Sequence, residues 1–158
     1  MKPLLIGENN PQSLAKGHEL FPMPDGCAGN RLWKMLDAAH QRKEGDATKH
    51  ILPSRYLETF ERRNLVVARD FCPKRAKITA DLFAEELWGS KRTVILLGRR
   101  VQHAFRLPPA EPFSDYLNGG VTWWRVPHPS GRNLWYNEPK NYALVGDFLL
   151  RLYEESTT

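Results

Sequence analysis

Two short runs of the chain carry the residues best suited to chemistry. Residues 126–133 read Val-Pro-His-Pro-Ser-Gly-Arg-Asn, so His128 follows a strand-like segment and opens a loop of small residues. Residues 7–11 read Gly-Glu-Asn-Asn-Pro, which sets Glu8 and Asn9 directly after another apolar run. An imidazole N–H can stabilise a developing anion, and a carboxylate or amide oxygen can hold a water molecule. Together the two runs suggest a site that binds a nucleobase.

The elements that must position these loops follow from the pattern of apolar residues. We expect four strands, at residues 3–6, 64–67, 93–97 and 121–126, and helices at residues 28–39, 53–60, 73–88, 99–105 and 139–155. The strands are continuous apolar runs rather than strict alternations, which favours parallel strands covered on both faces. If the first and last strands are parallel neighbours, both loops open on the same carboxyl edge, where open α/β sheets bind ligands.

The sequence therefore predicts an α/β fold: a single domain over residues 1–158, with a mostly parallel four-stranded sheet flanked by helices on both faces. Leu32, Leu36 and Ala39 mark the buried face of the first helix. The last helix carries an apolar stripe, made of Leu144, Val145, Phe148, Leu149 and Leu152. Residues 7–26 are expected to form an ordered functional loop, and residues 41–49 the most flexible segment.

The formal net charge of +5 favours a polyanionic partner without requiring one. The cations come in small groups near predicted loop ends, namely Arg62-Arg63, Lys74-Arg75-Lys77, Lys91-Arg92 and Arg99-Arg100. Such groups suit contacts to nucleic-acid phosphates, and they are equally compatible with a solvated face.

The two cysteines, Cys27 and Cys72, exclude a four-cysteine iron–sulfur or zinc site. Nothing demands a disulfide, so reduced thiols are expected. The N-terminus lacks the pattern of a secretory signal, and no apolar run approaches the length of a membrane span. We expect a cytoplasmic monomer that needs no metal or cofactor and does not associate with membranes.

The two motifs resemble those of the uracil-DNA glycosylase superfamily. Residues 7–11 are similar to its Gly-x-Asn-Pro or Gly-x-Asp-Pro loop, and residues 128–130 match its His-Pro-Ser motif. Residues 21–23 and 29–34 resemble the mismatch-specific branch, whereas the Gly-Glu pair resembles the branches that carry a four-iron cluster. Residues 95–98, Ile-Leu-Leu-Gly, stand where such enzymes carry an Ile-Leu-Gly strand end.

The resemblance implies a monofunctional DNA glycosylase that flips a base out of DNA, hydrolyses its N-glycosidic bond and leaves an abasic site. His128 would donate to O2 of the departing base. Asn9 would orient the water, as the matching residue does in the family, although Glu8 is the stronger base. Asn10 separates Asn9 from the proline, so the register of this loop leaves both assignments open.

Base recognition is assigned to three further residues. Phe21 is the candidate for stacking on the base, with Met23 the alternative at the family's position. Asn64 stands where related branches read O4 and N3–H of the pyrimidine. A core aromatic and a strand-start residue are the structural alternatives for Phe21 and Asn64.

The loop after His128 is expected to contact DNA and fill the gap left by the flipped base. Ser130 and Gly131 form its turn, Arg132 suits an orphaned base or a phosphate, and Leu134 or Trp135 suits a stacking wedge. The alternative for Trp135 is a packed lead-in to the last helix.

Two other functions stay open from the sequence. The same fold can bind or modify a flipped base without excising it, or a generic α/β enzyme can act on free nucleotides. The aromatic residue that excludes 5-methyl groups in the family is replaced by Gln12, which leaves room for a modified pyrimidine. The sequence leaves undetermined the base, the preference for single or double strands, and a role in repair or in modified viral DNA.

Overall fold

The computed structural model describes residues 1–157. In this part of the chain the strands are β1 (Leu4–Gly7), β2 (Glu61–Asn64), β3 (Thr93–Leu97), β4 (Ser114–Asn118) and β5 (Val121–Val126). The helices are α1 (Ala28–Glu44), α2 (Pro53–Thr59), α3 (Pro73–Leu87), α4 (Arg99–Ala104) and α5 (Pro139–Thr157), with a 3-10 helix at Leu134–Asn137. The predicted strands at residues 93–97 and 121–126 are confirmed residue by residue.

The strands form one mostly parallel sheet, in the order β2-β1-β3-β5-β4, flanked by helices. This confirms the predicted α/β class, but the expected number of four strands is wrong, since β4 adds a fifth. It runs antiparallel to β5 through the turn at Gly119 and Gly120. Its residues, Ser-Asp-Tyr-Leu-Asn, are half-buried or exposed. A search for continuous apolar runs misses such a polar edge strand.

The second strand also lies three residues earlier than expected. It covers Glu61–Asn64, so Asn64 ends the strand instead of beginning it. Leu65 and Val66 are buried just past the strand, and their N–H groups donate to the carbonyls of Gly7 and Glu8 at 3.0 Å each. The apolar residues that led to the prediction therefore lie just after this edge strand, where the backbone still hydrogen-bonds to the end of β1 and to Glu8.

By their internal contacts, the described residues divide into two compact units. The first comprises residues 1–20 and 61–128 and holds the whole sheet with α3 and α4. The second comprises residues 21–60 and the described residues from Pro129 onward, with α1, α2, the 3-10 helix and α5. The expectation of a single domain stays a prediction.

The core of the first unit joins the central strands to α3 and α4. Leu4, Val94 and Trp123 pack in one cluster with Ala76 of α3 and Val101 of α4, among others. Leu5 and Ile95 alternate to the opposite side of the sheet, and they are equally inaccessible to solvent. Both faces of the central strands are thus shielded, which explains why these strands are apolar throughout.

Two of the four basic groups are used inside the first unit. Arg92 is 7% exposed; its Nε donates to the Lys2 carbonyl at 2.7 Å, and its guanidinium pairs with Glu61. Burial alone would raise the pKa of Glu61, but hydrogen bonds from Arg92 and Arg63 outweigh it and the pKa is lowered. Arg62 donates to the carbonyls of residues 17 and 19, which pins the loop after β1.

In the second unit, α1 and α5 pack closely. A Cβ on Gly146 would lie 2.6 Å from the carbonyl oxygen of Met35 and 3.4 Å from Cβ of Ala39. Helix α1 continues to Glu44, so the expectation of flexibility from residue 41 is wrong for its last turn. Leu32, Leu36 and Ala39 are buried as predicted, and so is the stripe of α5 except for Leu144, which is 46% exposed.

Replacing Gly146 with Ala tests this backbone contact. Alanine favours a helix over glycine by about 1 kcal/mol, so propensity alone predicts a gain in stability. Because the new methyl meets a backbone carbonyl, we expect instead a net loss of about 1–3 kcal/mol in the free energy of unfolding, measured by urea denaturation. An increase in stability would show that α1 and α5 do not touch here.

Candidate functional site

The predicted motif loops open on one edge of the sheet, though their strands are not neighbours. Strand β3 lies between β1 and β5 and pairs in parallel with each of them. The premise that the two strands are adjacent is therefore wrong. Its consequence still holds, because the three strands point the same way and end at the same carboxyl edge. Glu8 follows β1 there, Gly98 follows β3, and His128 comes two residues after β5.

The position of His128 is set by the end of β3 and the start of α4. The Val126 carbonyl accepts hydrogen bonds from Gly98 N–H at 2.8 Å and from Gln102 Nε2 at 3.3 Å. Gly98 has φ +93°, and a Cβ there would lie 3.0 Å from Cβ of His128 and 3.4 Å from its Cδ2. Only glycine accepts this backbone conformation while leaving the imidazole its space.

Two charges act on the half-buried imidazole of His128. Burial lowers the pKa of His128 below its ordinary value; the Glu8 carboxylate opposes this shift, and the Arg100 guanidinium adds to it. Arg100 in turn lies 3.8 Å from Glu8 Oε1. At neutral pH the lowered pKa favours the neutral imidazole, which carries a single N–H. Glu8, Arg100 and His128 form one electrostatic group, which we call the edge triad.

The two asparagines after Glu8 do different things. Asn9 Nδ2 donates to the carbonyls of Ala68 at 3.1 Å and Arg69 at 2.7 Å, which ties the loop after β1 to the loop after β2. Asn10 Oδ1 accepts from the N–H groups of Gln12 and Ser13, and its Nδ2 donates to the carbonyl of residue 18. Asn10 is thus a turn residue of the loop, as asparagine often is.

Asn64 lies at the same edge as the triad. It is paired with Gly7 in the register of β1 and β2, and a Cβ on Gly7 would come within 2.7 Å of Asn64 Oδ1. The amide of Asn64 therefore lies over the end of β1, close to Glu8 in sequence. Within residues 1–157, nothing hydrogen-bonds to this half-buried amide, which leaves it able to bind an amide edge of a ligand.

Phe21 and Met23 belong to the second unit, whereas the triad and Asn64 belong to the first. The Phe21 ring is half-buried, and its carbonyl accepts from Cys27 Sγ at 3.3 Å. Met23 is 49% exposed. Their predicted contacts with a base stay predictions.

The loop after His128 is an ordered turn that exposes one apolar side chain. Ser130 Oγ accepts from Arg132 N–H at 3.2 Å, and the Ser130 carbonyl accepts from Asn133 N–H at 3.0 Å. Leu134 is 77% exposed, and Arg132 and Gly131 are exposed as well.

Trp135 is half-buried, by contrast. Its ring packs edge-on against Tyr136 with centroids 5.0 Å apart, and its carbonyl accepts from Asn141. Of the two predicted wedges, Leu134 is therefore the one whose side chain is available.

Arg31 is a residue of this loop region to which the sequence analysis gave no role. One of its terminal guanidinium nitrogens lies 3.5 Å from where a Cβ on Gly131 would be. Its Nε is buried and finds no hydrogen-bond partner in the described part of the chain. Burial raises the pKa of Tyr136, and the charge of Arg31 acts against that rise. A cation thus lies beneath the turn at Gly131.

Gly98, Arg100 and Gln102 were also given no catalytic or positioning role. The available signal is a strand that ends in Gly-Arg-Arg, since glycine at a parallel strand end commonly marks a close approach of backbone and side chain. Nothing in the sequence connects these residues to His128, which lies more than twenty positions later.

Comparison with family models and with curated proteins finds no significant match to this chain. Over residues 1–157, no three His, Cys, Asp or Glu side chains are grouped closely enough to hold a metal ion. Over the same residues, no helix combines the length and the apolar character needed to cross a membrane.

Titration of His128 tests the edge triad. We expect the ring to titrate below pH 6.5, with the midpoint lower still in Glu8→Gln and higher in Arg100→Gln. The signs follow from the charges, since Glu8 favours the imidazolium and Arg100 disfavours it. Because the unfolded chain protonates first, native stability should fall as the pH drops below about 6.5. NMR of the labelled ring measures the midpoints.

Lys2→Gln is the control, because it removes a cation that precedes β1 at the amino edge of the sheet. Equal midpoints in all four proteins would mean that Glu8 and Arg100 do not act on His128.

Proposed function

We propose that this protein is a monofunctional DNA base glycosylase that hydrolyses the N-glycosidic bond of uracil or a modified pyrimidine flipped out of DNA. The observation that carries the proposal is the edge triad, in which Glu8 and His128 from two separate motif loops lie at one carboxyl edge of the sheet, with Arg100 3.8 Å from Glu8. The motifs themselves resemble those of the uracil-DNA glycosylase superfamily. The protein would require no metal or cofactor for this reaction.

In the proposed reaction His128 stabilises the departing base. As the bond between C1′ and N1 breaks, its electron pair moves onto the base and negative charge collects on O2. A neutral imidazole N–H donates to that oxygen without having to lose its proton. Two observations support this role. The lowered pKa of His128 favours the neutral ring. The hydrogen bond that the Val126 carbonyl accepts from Gly98 N–H fixes the backbone two residues before His128.

Glu8 is assigned to the water. Its carboxylate takes a proton from the water that attacks C1′, so the sugar gains a hydroxyl and the base leaves. The side chain of Glu8 is 20% exposed, which leaves it accessible to a water molecule. The amide nitrogen of Asn9 is occupied by two backbone carbonyls, so Asn9 would hold the loop and offer only its oxygen.

Asn64 is assigned to the Watson–Crick edge of the pyrimidine, where its amide can pair with O4 and N3–H. Phe21 or Met23 would stack on the base. Gln12 is exposed, and its backbone N–H bonds to Asn10 Oδ1. No aromatic residue occurs between residues 8 and 20 to exclude a 5-substituent. Modified pyrimidines are therefore included in the proposed substrate class.

Two cations, Arg31 and Arg132, support the proposal of a DNA partner. Both lie at the turn that follows His128, and neither forms an ion pair within residues 1–157. Phosphates of the target strand would neutralise them. We include a cytoplasmic location and a monomeric state in the proposal, because the substrate is DNA and one chain supplies every assigned residue.

Single-turnover excision from uracil-containing and modified-pyrimidine oligonucleotides tests the chemistry, with the released base identified by mass spectrometry. His128→Ala should slow excision by about 30- to 1,000-fold, the cost of one donor to a developing anion. Glu8→Gln should slow it comparably. Asn9→Ala should retain more activity than Glu8→Gln, although its loop is less firmly held.

Leu117→Ala is the control, since Leu117 is an exposed residue of β4 with no assigned role. Equal excision by His128→Ala and the unmodified protein would refute the assignment. Tight binding of the oligonucleotide with no released base would instead favour a protein that recognises a flipped base without excising it. The use of the Asn9 amide in a structural contact is the observation that favours this alternative.

The exposed side chain of Leu134, the candidate wedge, predicts a difference between the excision rates of duplex and single-stranded substrates. Leu134→Ala and Arg132→Ala should each reduce excision from duplex DNA more than from single strands, because only the duplex leaves a gap to be filled. The ratio of the two rates is the measurement, and Leu117→Ala, of similar exposure, should leave it unchanged. If Arg132→Ala lowers both rates equally, Arg132 is a phosphate contact alone.

A further inference from the structure

A cleft of about 420 Å³ lies within the first unit, between the start of α3 and α4. Its apolar lining includes Phe71, Ala76 and Ala104, and its cationic lining includes Lys77, Arg99 and Arg100. In the sequence, Lys77 and Arg99 belong to two separate basic groups. The fold brings Lys77 and Arg99, one from each group, to the same cleft.

Two of the three cations that line this cleft have no carboxylate partner in the described part of the chain. Arg63, Arg92 and Arg106 each pair with a carboxylate. Neither Lys77 nor Arg99 forms an ion pair within residues 1–157. Arg100 has one acidic neighbour, Glu8, at the long distance of 3.8 Å. The cleft therefore carries net positive charge and is complementary to an anion.

The apolar part of the cleft suits a flat group. Phe71 is half-buried and packs against the core of the first unit, and the Arg100 guanidinium lies over its ring at 5.3 Å from the centroid. Nucleobases stack on both aromatic rings and guanidinium planes. A site with a stacking surface and adjacent unpaired cations is matched to one nucleotide, with its base and its phosphate.

Arg100 connects the cleft to the reaction centre. The same guanidinium that lines the cleft lies beside Glu8, and its charge lowers the pKa of His128. A nucleotide bound in the cleft would therefore lie beside a nucleotide bound at the edge triad.

We propose that this cleft binds the unpaired nucleotide that flanks the target nucleotide, with its phosphate on Lys77 and Arg99 and its base against Phe71 and Arg100. The inference rests on the proposed function in two respects, namely that the ligand is DNA and that the target nucleotide binds at the edge triad. It implies a preference for a strand whose flanking base is unpaired, since a paired base is not free to enter.

Binding of short single-stranded oligonucleotides tests the cleft without any excision. The target position carries an abasic analogue, and the flanking nucleotide on either side is natural or replaced by an abasic spacer. Affinity is measured by fluorescence anisotropy. We expect the spacer to weaken binding about tenfold when it stands on one particular side of the target position, and to have no effect on the other side. A loss of about tenfold corresponds to the loss of one base–aromatic stack.

Phe71→Leu identifies the stacking surface. With the natural flank it should bind about tenfold more weakly, and the spacer should then cause no further loss, because both changes remove the same contact. Arg99→Gln and Lys77→Gln should each reduce the dependence of affinity on salt by about one phosphate contact. Lys49→Gln, at an exposed lysine after α1, is the matched control and should leave the salt dependence unchanged.

The outcomes separate this inference from the proposed function. Two results would overturn the assignment of the cleft even if base excision is observed. In the first, the losses of affinity caused by the spacer and by Phe71→Leu add together. In the second, the spacer does not change the affinity on either side of the target. If the spacer and Phe71→Leu cause the same, non-additive loss of affinity but the protein excises no base, the assignment of the cleft is supported and the proposed glycosylase activity is refuted. Binding of free deoxynucleoside monophosphates as tight as that of the oligonucleotide overturns the assignment to a DNA strand.

Discussion

The parallel pairing of β1, β3 and β5 is the constraint on which the candidate site depends. Parallel strands end at one edge, so Glu8, Gly98 and His128 are gathered there although they are distant in sequence. The Val126 carbonyl then fixes the exit of β5, since Gly98 N–H and Gln102 Nε2 both donate to it. Any change that shifts β3 against β5 would move His128 away from Glu8.

Burial at this edge controls protonation. His128 loses solvent on one side to Gly98, which lowers its pKa, and Arg100 adds to this effect while Glu8 opposes it. The Glu8 carboxylate by itself favours the charged imidazole, but burial has the larger effect and favours the neutral form. Arg100 acts in the same direction as burial: its charge offsets that of Glu8 and favours the neutral form of His128.

The basic residues divide into two classes once their partners are known. Arg63 and Arg92 pair with carboxylates, and Arg62 binds backbone carbonyls, so these cations hold the fold. Lys77, Arg99 and Arg132 are among the cations that form no ion pair within residues 1–157. The net charge of the chain hides this division, because paired and unpaired cations contribute equally to it.

The sequence by itself determined the α/β class, the central strands and the two motif loops, because buried parallel strands must be apolar and glycine, proline and asparagine mark their ends. It did not determine β4 or the bounds of β2, since edge strands bury little surface and keep polar residues. Only the tertiary structure decided which charges meet. The pairing of Arg100 with Glu8, and the presence of Lys77 and Arg99 in one cleft, depend on strand order and helix packing. Neither is encoded in local periodicity, because periodicity reports which side of an element is buried and not what lies opposite it.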